Sequence, residues 1–185
     1  SGSGARARMI RTIAEAMLGF NFMDTEEAGQ ALPRLEAALP ALEAGGDGLR
    51  HVETLHRLGV LKANREEHEA ALELLDRASA AYDRARSRLA DARAPAPSDD
   101  EDEPSEAARL EELHTLTCFY LAQAHGNLGH RSESAAYCHT TLQRQLDQRE
   151  RRVAEGSEFS FDAKDWARNA ATLSSYHCGA CPLEH

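Results

Sequence analysis

A small residue returns at one fixed place in a helical pattern four times along this chain, while the stretches between the copies differ in length. Glu15, Leu18, Gly19 and Phe22 are followed by Ala31 and Leu35. The same offsets return as Leu55, Leu58, Gly59, Lys62, Ala71 and Leu75, and again as Cys118, Leu121, Ala122, His125, Ser134 and Cys138. A fourth copy opens at Ala170, Leu173, Ser174 and His177 without a second half. Repetition of this kind describes stacked supersecondary units, each of which buries its apolar face only against its neighbours.

The residue types explain themselves once two antiparallel helices must cross closely. Gly19, Gly59, Ala122 and Ser174 supply the small contact on the first helix of each pair, and Ala31, Ala71 and Ser134 supply it on the second. Leu18, Leu58, Leu121 and Leu173, with Cys138, fill the remaining space as repeat positions. This is the tetratricopeptide skeleton, whose ordinary unit is about 34 residues. Here Gly59 lies 40 residues after Gly19, Ala122 63 after Gly59, and Ser174 52 after Ala122, so insertions must separate the units. The expected fold is all-α: a right-handed tetratricopeptide-like α-solenoid of antiparallel helix pairs.

Composition agrees, with 42% hydrophobic, 28% charged and only 5% aromatic residues, rich in the best helix formers. A net charge of -10 disfavours a generic nucleic-acid or anionic-membrane binder, both of which carry a basic face. No run of about 18 apolar residues and no apolar signal core is present, so a cytoplasmic protein is expected. Four cysteines are too few for a disulfide framework, and Cys118 and Cys138 fall on apolar helix faces as reduced core thiols. Ser1-Gly2-Ser3-Gly4 reads as a cloning scar within a disordered start over residues 1–7, and residues 182–185 as a tag junction. The repeat domain is expected over residues 8–181.

The first helix is expected over Ile10 to Phe22, and Asp24-Thr25-Glu26-Glu27 offers an acidic N-cap for the second. Pro33 and Pro40 conflict with that start, since a proline deep inside a helix costs roughly 3 kcal/mol; either the helix starts later or it bends. Gly45-Gly46-Asp47-Gly48 breaks the chain, and a second pair follows over Leu49 to Ala63 and Glu67 to Ala90. A flexible acidic loop is expected over residues 94–108, then a third pair from Ala107 to about Gln148 and an insertion over 149–161. The acidic run reads as a solvated linker in preference to an electrostatic arm for a basic partner. Phe159 and Phe161 are placed to cover the solenoid end and Trp166, itself read as core in preference to a partner anchor.

Several blocks are more specific than the generic repeat. They include Leu18-Gly19, Asn21 and Asp24-Thr25-Glu26-Glu27, then Leu58-Gly59 with Arg65-Glu66-Glu67, then Tyr120-Leu121-Ala122-Gln123. Tyr137-Cys138-His139, Thr141-Leu142, Arg144-Gln145-Leu146, Trp166-Ala167 and Asn169-Ala170-Ala171-Thr172-Leu173-Ser174 complete them. Over roughly Arg8 to His177 the chain resembles the KIF-binding protein family. The resemblance implies a non-catalytic, monomeric, cytoskeleton-associated regulator that binds kinesin motor domains and keeps them from microtubules. Members are several times longer, so the chain looks like an N-terminal piece. The loop over residues 94–108 and the insertion over 149–161 depart from the family.

In tetratricopeptide arrays the first helix of each pair lines the groove. Counting from the small residue places Phe20, Asp24, Glu53, His56, Val60, Asn64, Gln123, Asn127, Arg168 and Ser175 on that side. The polar ones, Asp24, Glu53, His56, Asn64, Gln123, Asn127 and Arg168, are the candidate partner contacts. An acidic patch over residues 24–27 has a competing reading as a helix N-terminus.

Other readings are weaker. A chaperone-adaptor carboxylate clamp needs Lys, Arg and Asn where Ala16 and Phe20 stand. His177-Cys178-Gly179-Ala180-Cys181 has C-x-x-C spacing, but no strand precedes it and Cys138-His139 cannot complete a zinc site from one helix face. No catalytic arrangement, phosphate loop or cofactor motif is visible, so neither an enzyme nor a small-molecule site is expected.

Overall fold

The computed structural model describes residues 2–24, 28–45, 48–91, 105–154, 156 and 163–178. The described residues are all-α, with the helix-pair packing of an α-solenoid. The helices are α1 (Gly2–Asp24), α2 (Ala28–Gly45), α3 (Gly48–Asn64), α4 (His68–Asp91), α5 (Glu106–Asn127), α6 (Arg131–Ala154) and α7 (Ala163–Cys178). They fall into two compact units, Ser1–His114 and Thr115–His185, divided within α5.

In the first unit α1 packs on α2 and α3 on α4, and α2 and α3 join the pairs. The repeated small residues sit at the crossings. A Cβ placed on Gly19 would stand 2.7 Å from Leu35 Cδ2, and one on Gly59 would stand 2.7 Å from Leu75 Cγ. Both leucines are fully buried. One apolar cluster joins Ala16, Phe20, Ala31, Leu35, Leu42, Leu58 and Leu61, and a second gathers Val52, Leu55, Ala78, Tyr82, Ala85 and Leu110. Leu58 is buried, whereas Leu18 at the same repeat position is 39% exposed. The difference is one of neighbours: α3 has α2 and α4 against it, while α1 packs on α2 and touches α3.

The second unit repeats the crossing with different atoms. Leu121, Ala122 and Leu173 are fully buried, and Ser134 Oγ donates a 2.9 Å hydrogen bond to the Ala122 carbonyl. Thr115 Oγ1 accepts from Arg144 Nε and Gln148 Nε2 at 3.1 and 3.0 Å, tying the rest of α6 to α5. Cys138 Sγ donates to the Leu173 carbonyl at 3.4 Å, and the half-buried Trp166 donates from Nε1 to the Leu142 carbonyl at 3.5 Å. Ser174, the fourth small position, is exposed, with no second helix of its copy among the described residues.

Two turns confirm the register. After α3, Glu67 N–H reaches the Lys62 carbonyl at 3.0 Å and Glu66 N–H the Ala63 carbonyl at 3.0 Å. After α5, His130 N–H reaches the His125 carbonyl at 2.9 Å and Gly129 N–H the Gly126 carbonyl at 3.1 Å. Both are Schellman ends, with Glu66 (φ 61°) and Gly129 (φ 76°) in the left-handed position.

Some boundaries differ from the sequence reading. α2 begins at Ala28, and Asp24 is the last residue of α1, so the acidic run does not start α2 at Asp24. Pro33 and Pro40 lie inside α2, both exposed, so the carbonyls they leave free can be hydrated. Residues 2–7, expected as a disordered start, are helical, as are 106–108 of the acidic loop and 149–154 of the last insertion. Alanine, arginine and glutamate make up nearly all of the latter two stretches and extend the adjoining helices readily. The rest of the acidic run, Phe159, Phe161 and Cys181 lie outside the described residues.

Candidate partner-binding face

The site residues reduce to a few repeat positions. Asp24, Asn64 and Asn127 are the last residues of α1, α3 and α5, one per pair, each at the turn into the second helix. Asn64 and Asn127 are exposed, and nothing of the Asp24 side chain is described. Gln123 stands one turn before Asn127 on α5 and is half-buried, while Arg168 is exposed on α7. On α3, Glu53 and Asn64 are eleven residues apart, about three turns, and so share one stripe.

Along that stripe exposure is selective. His56 is 6% exposed and Val60 9%, so both serve as support under the face. Burial holds the His56 imidazole at about 4, with the Arg57 charge a lesser cause, which makes it neutral at physiological pH. Phe20, counted toward the groove, is also buried, and the Arg57 guanidinium lies 4.5 Å above the centre of its ring. That contact joins the first helices of two successive pairs.

Glu53 is held as an acceptor between two cations. Arg50 Nη1 donates to its Oε2 at 2.9 Å and Arg57 Nη2 to its Oε1 at 3.3 Å, with the carboxylate side chain 15% exposed. Sequence counting found Glu53 and missed both arginines. The signal was present as Arg50, Glu53 and Arg57 at helical i, i+3, i+7 spacing, which puts all three on neighbouring positions of one surface. What this surface can do chemically is hydrogen-bond and pair charges; among the described residues no group of three His, Cys, Asp or Glu is placed to hold a metal. Nor is any described helix long and apolar enough to cross a membrane.

Comparison with known proteins adds the decisive observation. KIF-binding protein of Xenopus tropicalis is 32% identical over a 190-residue alignment covering 96% of this chain and 28% of that protein. Over nearly its whole length the chain is similar to the KIF-binding proteins. The Drosophila melanogaster KIF-binding protein is 30% identical over 172 residues, 88% of this chain and 27% of that one, and the Homo sapiens KIF-binding protein is 28% identical with 95% and 28% covered. The chain thus spans a little over a quarter of the length of the KIF-binding proteins it matches. No family model matches the chain, and no solved structure matches it significantly.

Proposed function

We propose that the chain is a non-catalytic interaction solenoid that binds kinesin motor domains and obstructs their engagement with microtubules. Similarity over nearly the whole chain to proteins named for kinesin binding is the observation that carries this reading. Acting there, it would be a cytoplasmic, cytoskeleton-associated monomer without cofactor, nucleic-acid or small-molecule partners. The contact positions are Asp24, Glu53 and Asn64 in the first unit and Gln123, Asn127 and Arg168 in the second. His56 supports that face from beneath, since it is buried and neutral. A chain of net charge -10 is suited to a basic, track-binding surface on a motor, with complementarity speeding and orienting the encounter.

The test is a calorimetric titration of the chain against several purified motor domains at two salt concentrations, beside Asn64→Ala and Glu53→Gln variants. Saturable binding to a subset, weakened by salt and by either variant, together with loss of motor from pelleted microtubules, is expected. Absence of binding to every motor would overturn the proposal for this chain.

A further inference from the structure

Away from the groove stripe, the first unit has a recess of about 590 Å³ walled by Glu43 of α2, His51 of α3, and Asp83, Arg84, Ser87 and Arg88 of α4. Its donors come from two helices. Arg84 and Ser87 are one turn apart on α4 with Arg88 beside them. Arg88 also reaches the start of α3, since a Cβ on Gly48 would stand 3.3 Å from its Nη2. The positive end of the α3 macrodipole therefore lies at the same edge.

His51 is the informative wall residue. It is only 8% exposed, and its Nε2 is buried without a hydrogen-bond partner. The nearest acid, Glu43 Oε1, is 3.8 Å away, beyond hydrogen-bonding distance, and is engaged by Arg77 Nη2 at 3.0 Å. A buried imidazole nitrogen without a partner is unusual, because such groups are normally satisfied by protein or ordered water. Burial is the chief cause that lowers its proton affinity; the Glu43 carboxylate opposes it, and the Arg84, Arg77 and Arg88 charges lower it further, so three cations lie around this ring. Asp83 faces the same space as an opposing charge.

We infer that this recess is a phosphate-binding site, in which Arg84 and Arg88 take the charged oxygens, Ser87 Oγ–H donates to one of them and His51 Nε2–H donates from the buried wall. Guanidinium forks match phosphate oxygens, and a hydroxyl and an imidazole from other directions suit a tetrahedral group. The phosphate can be free or carried on a phosphoserine of a partner.

The test follows the His51 ring proton by NMR while the chain is titrated with inorganic phosphate in one arm and with a short phosphoserine peptide in the other. The His51 resonance is assigned by its loss in His51→Phe. Saturable displacement in either arm is expected, and the tighter arm identifies the source. Arg84→Gln should weaken binding roughly tenfold, the scale of a lost charge-assisted hydrogen bond. Asp83→Asn should strengthen it by removing the opposing charge. Both variants alter exposed residues, and calorimetry of the same two titrations reads their effect even if His51→Phe fails to fold. A His51 resonance unmoved by both ligands, or displacement insensitive to both Arg84→Gln and Asp83→Asn, would overturn the site.

Discussion

Gly59 and Leu75 touch so closely that a single methyl group on the glycine would stand 2.7 Å from the leucine Cγ and 2.8 Å from its Cδ2. The same crossing is made by Gly19 with Leu35. In the third pair the equivalent residues are Ala122 and Cys138, where the larger first partner meets a smaller second one. Volume is shifted across the crossing.

Gly59→Ala should therefore destabilise the first unit by up to about 2 kcal/mol, because overpacking of about 1–3 kcal/mol outweighs the helix-propensity gain of about 1 kcal/mol. Combining it with Leu75→Cys should cost less than the two single changes added together. Urea unfolding of the four chains checks this, and strict additivity would show that the methyl is accommodated elsewhere.

His56 gives the stability of the first unit a pH dependence of known sign. Its folded value of about 4 lies below the ordinary 6.5, so the unfolded chain binds the extra proton between those limits. Stability from this group is complete above pH 6.5 and is lost as pH falls toward 4, by up to roughly 3 kcal/mol. His56→Phe should flatten that part of the profile in urea melts between pH 7 and pH 4.5, whereas an unchanged slope would assign it to other groups.

Glu66 holds a left-handed conformation that Gly129 holds at the equivalent turn. Relief of about 1–2 kcal/mol, less the unfolded-state entropy of glycine, predicts that Glu66→Gly stabilises the chain by about 0.5–1 kcal/mol. A lowered melting temperature would contradict this.

Cys118 and Cys138 are buried and in no disulfide, and burial raises the Cys138 thiol above its ordinary value. Both should resist a thiol reagent in the native chain and react once it is denatured, since the thiolate is the reactive form. Peptide mapping after timed alkylation reads each of the two separately, and rapid labelling of either in the native chain would contradict this.

Much of the fold was legible because a close helix crossing has few chemical solutions. Gly19, Ala31 and Leu35 against Gly59, Ala71 and Leu75 set the register, and the second pair falls within a residue or two of the limits read for it. Pro33 and Pro40 were harder, since a local penalty says nothing of the burial of Leu35, Ala38 and Leu42 that holds α2 together around them. The groove was legible as a helix face and less so in its exposure. Periodicity puts His56 and Val60 beside Glu53, but whether a neighbouring helix covers them depends on packing that spacing alone does not encode. The Arg50, Glu53 and Arg57 cluster was missed because flexible side chains choose partners only once the helix is placed.

The interval from Gly19 to Leu35, from Gly59 to Leu75 and from Ala122 to Cys138 is always 16 residues. Removing one residue from within it would turn the second helix by roughly 100° against the first. Leu75 would leave the crossing and a solvent-facing residue would enter it. Segments between pairs carry no such gearing, which makes them the places where this architecture can gain or lose length, and where a reporter could be spliced in without disturbing a crossing.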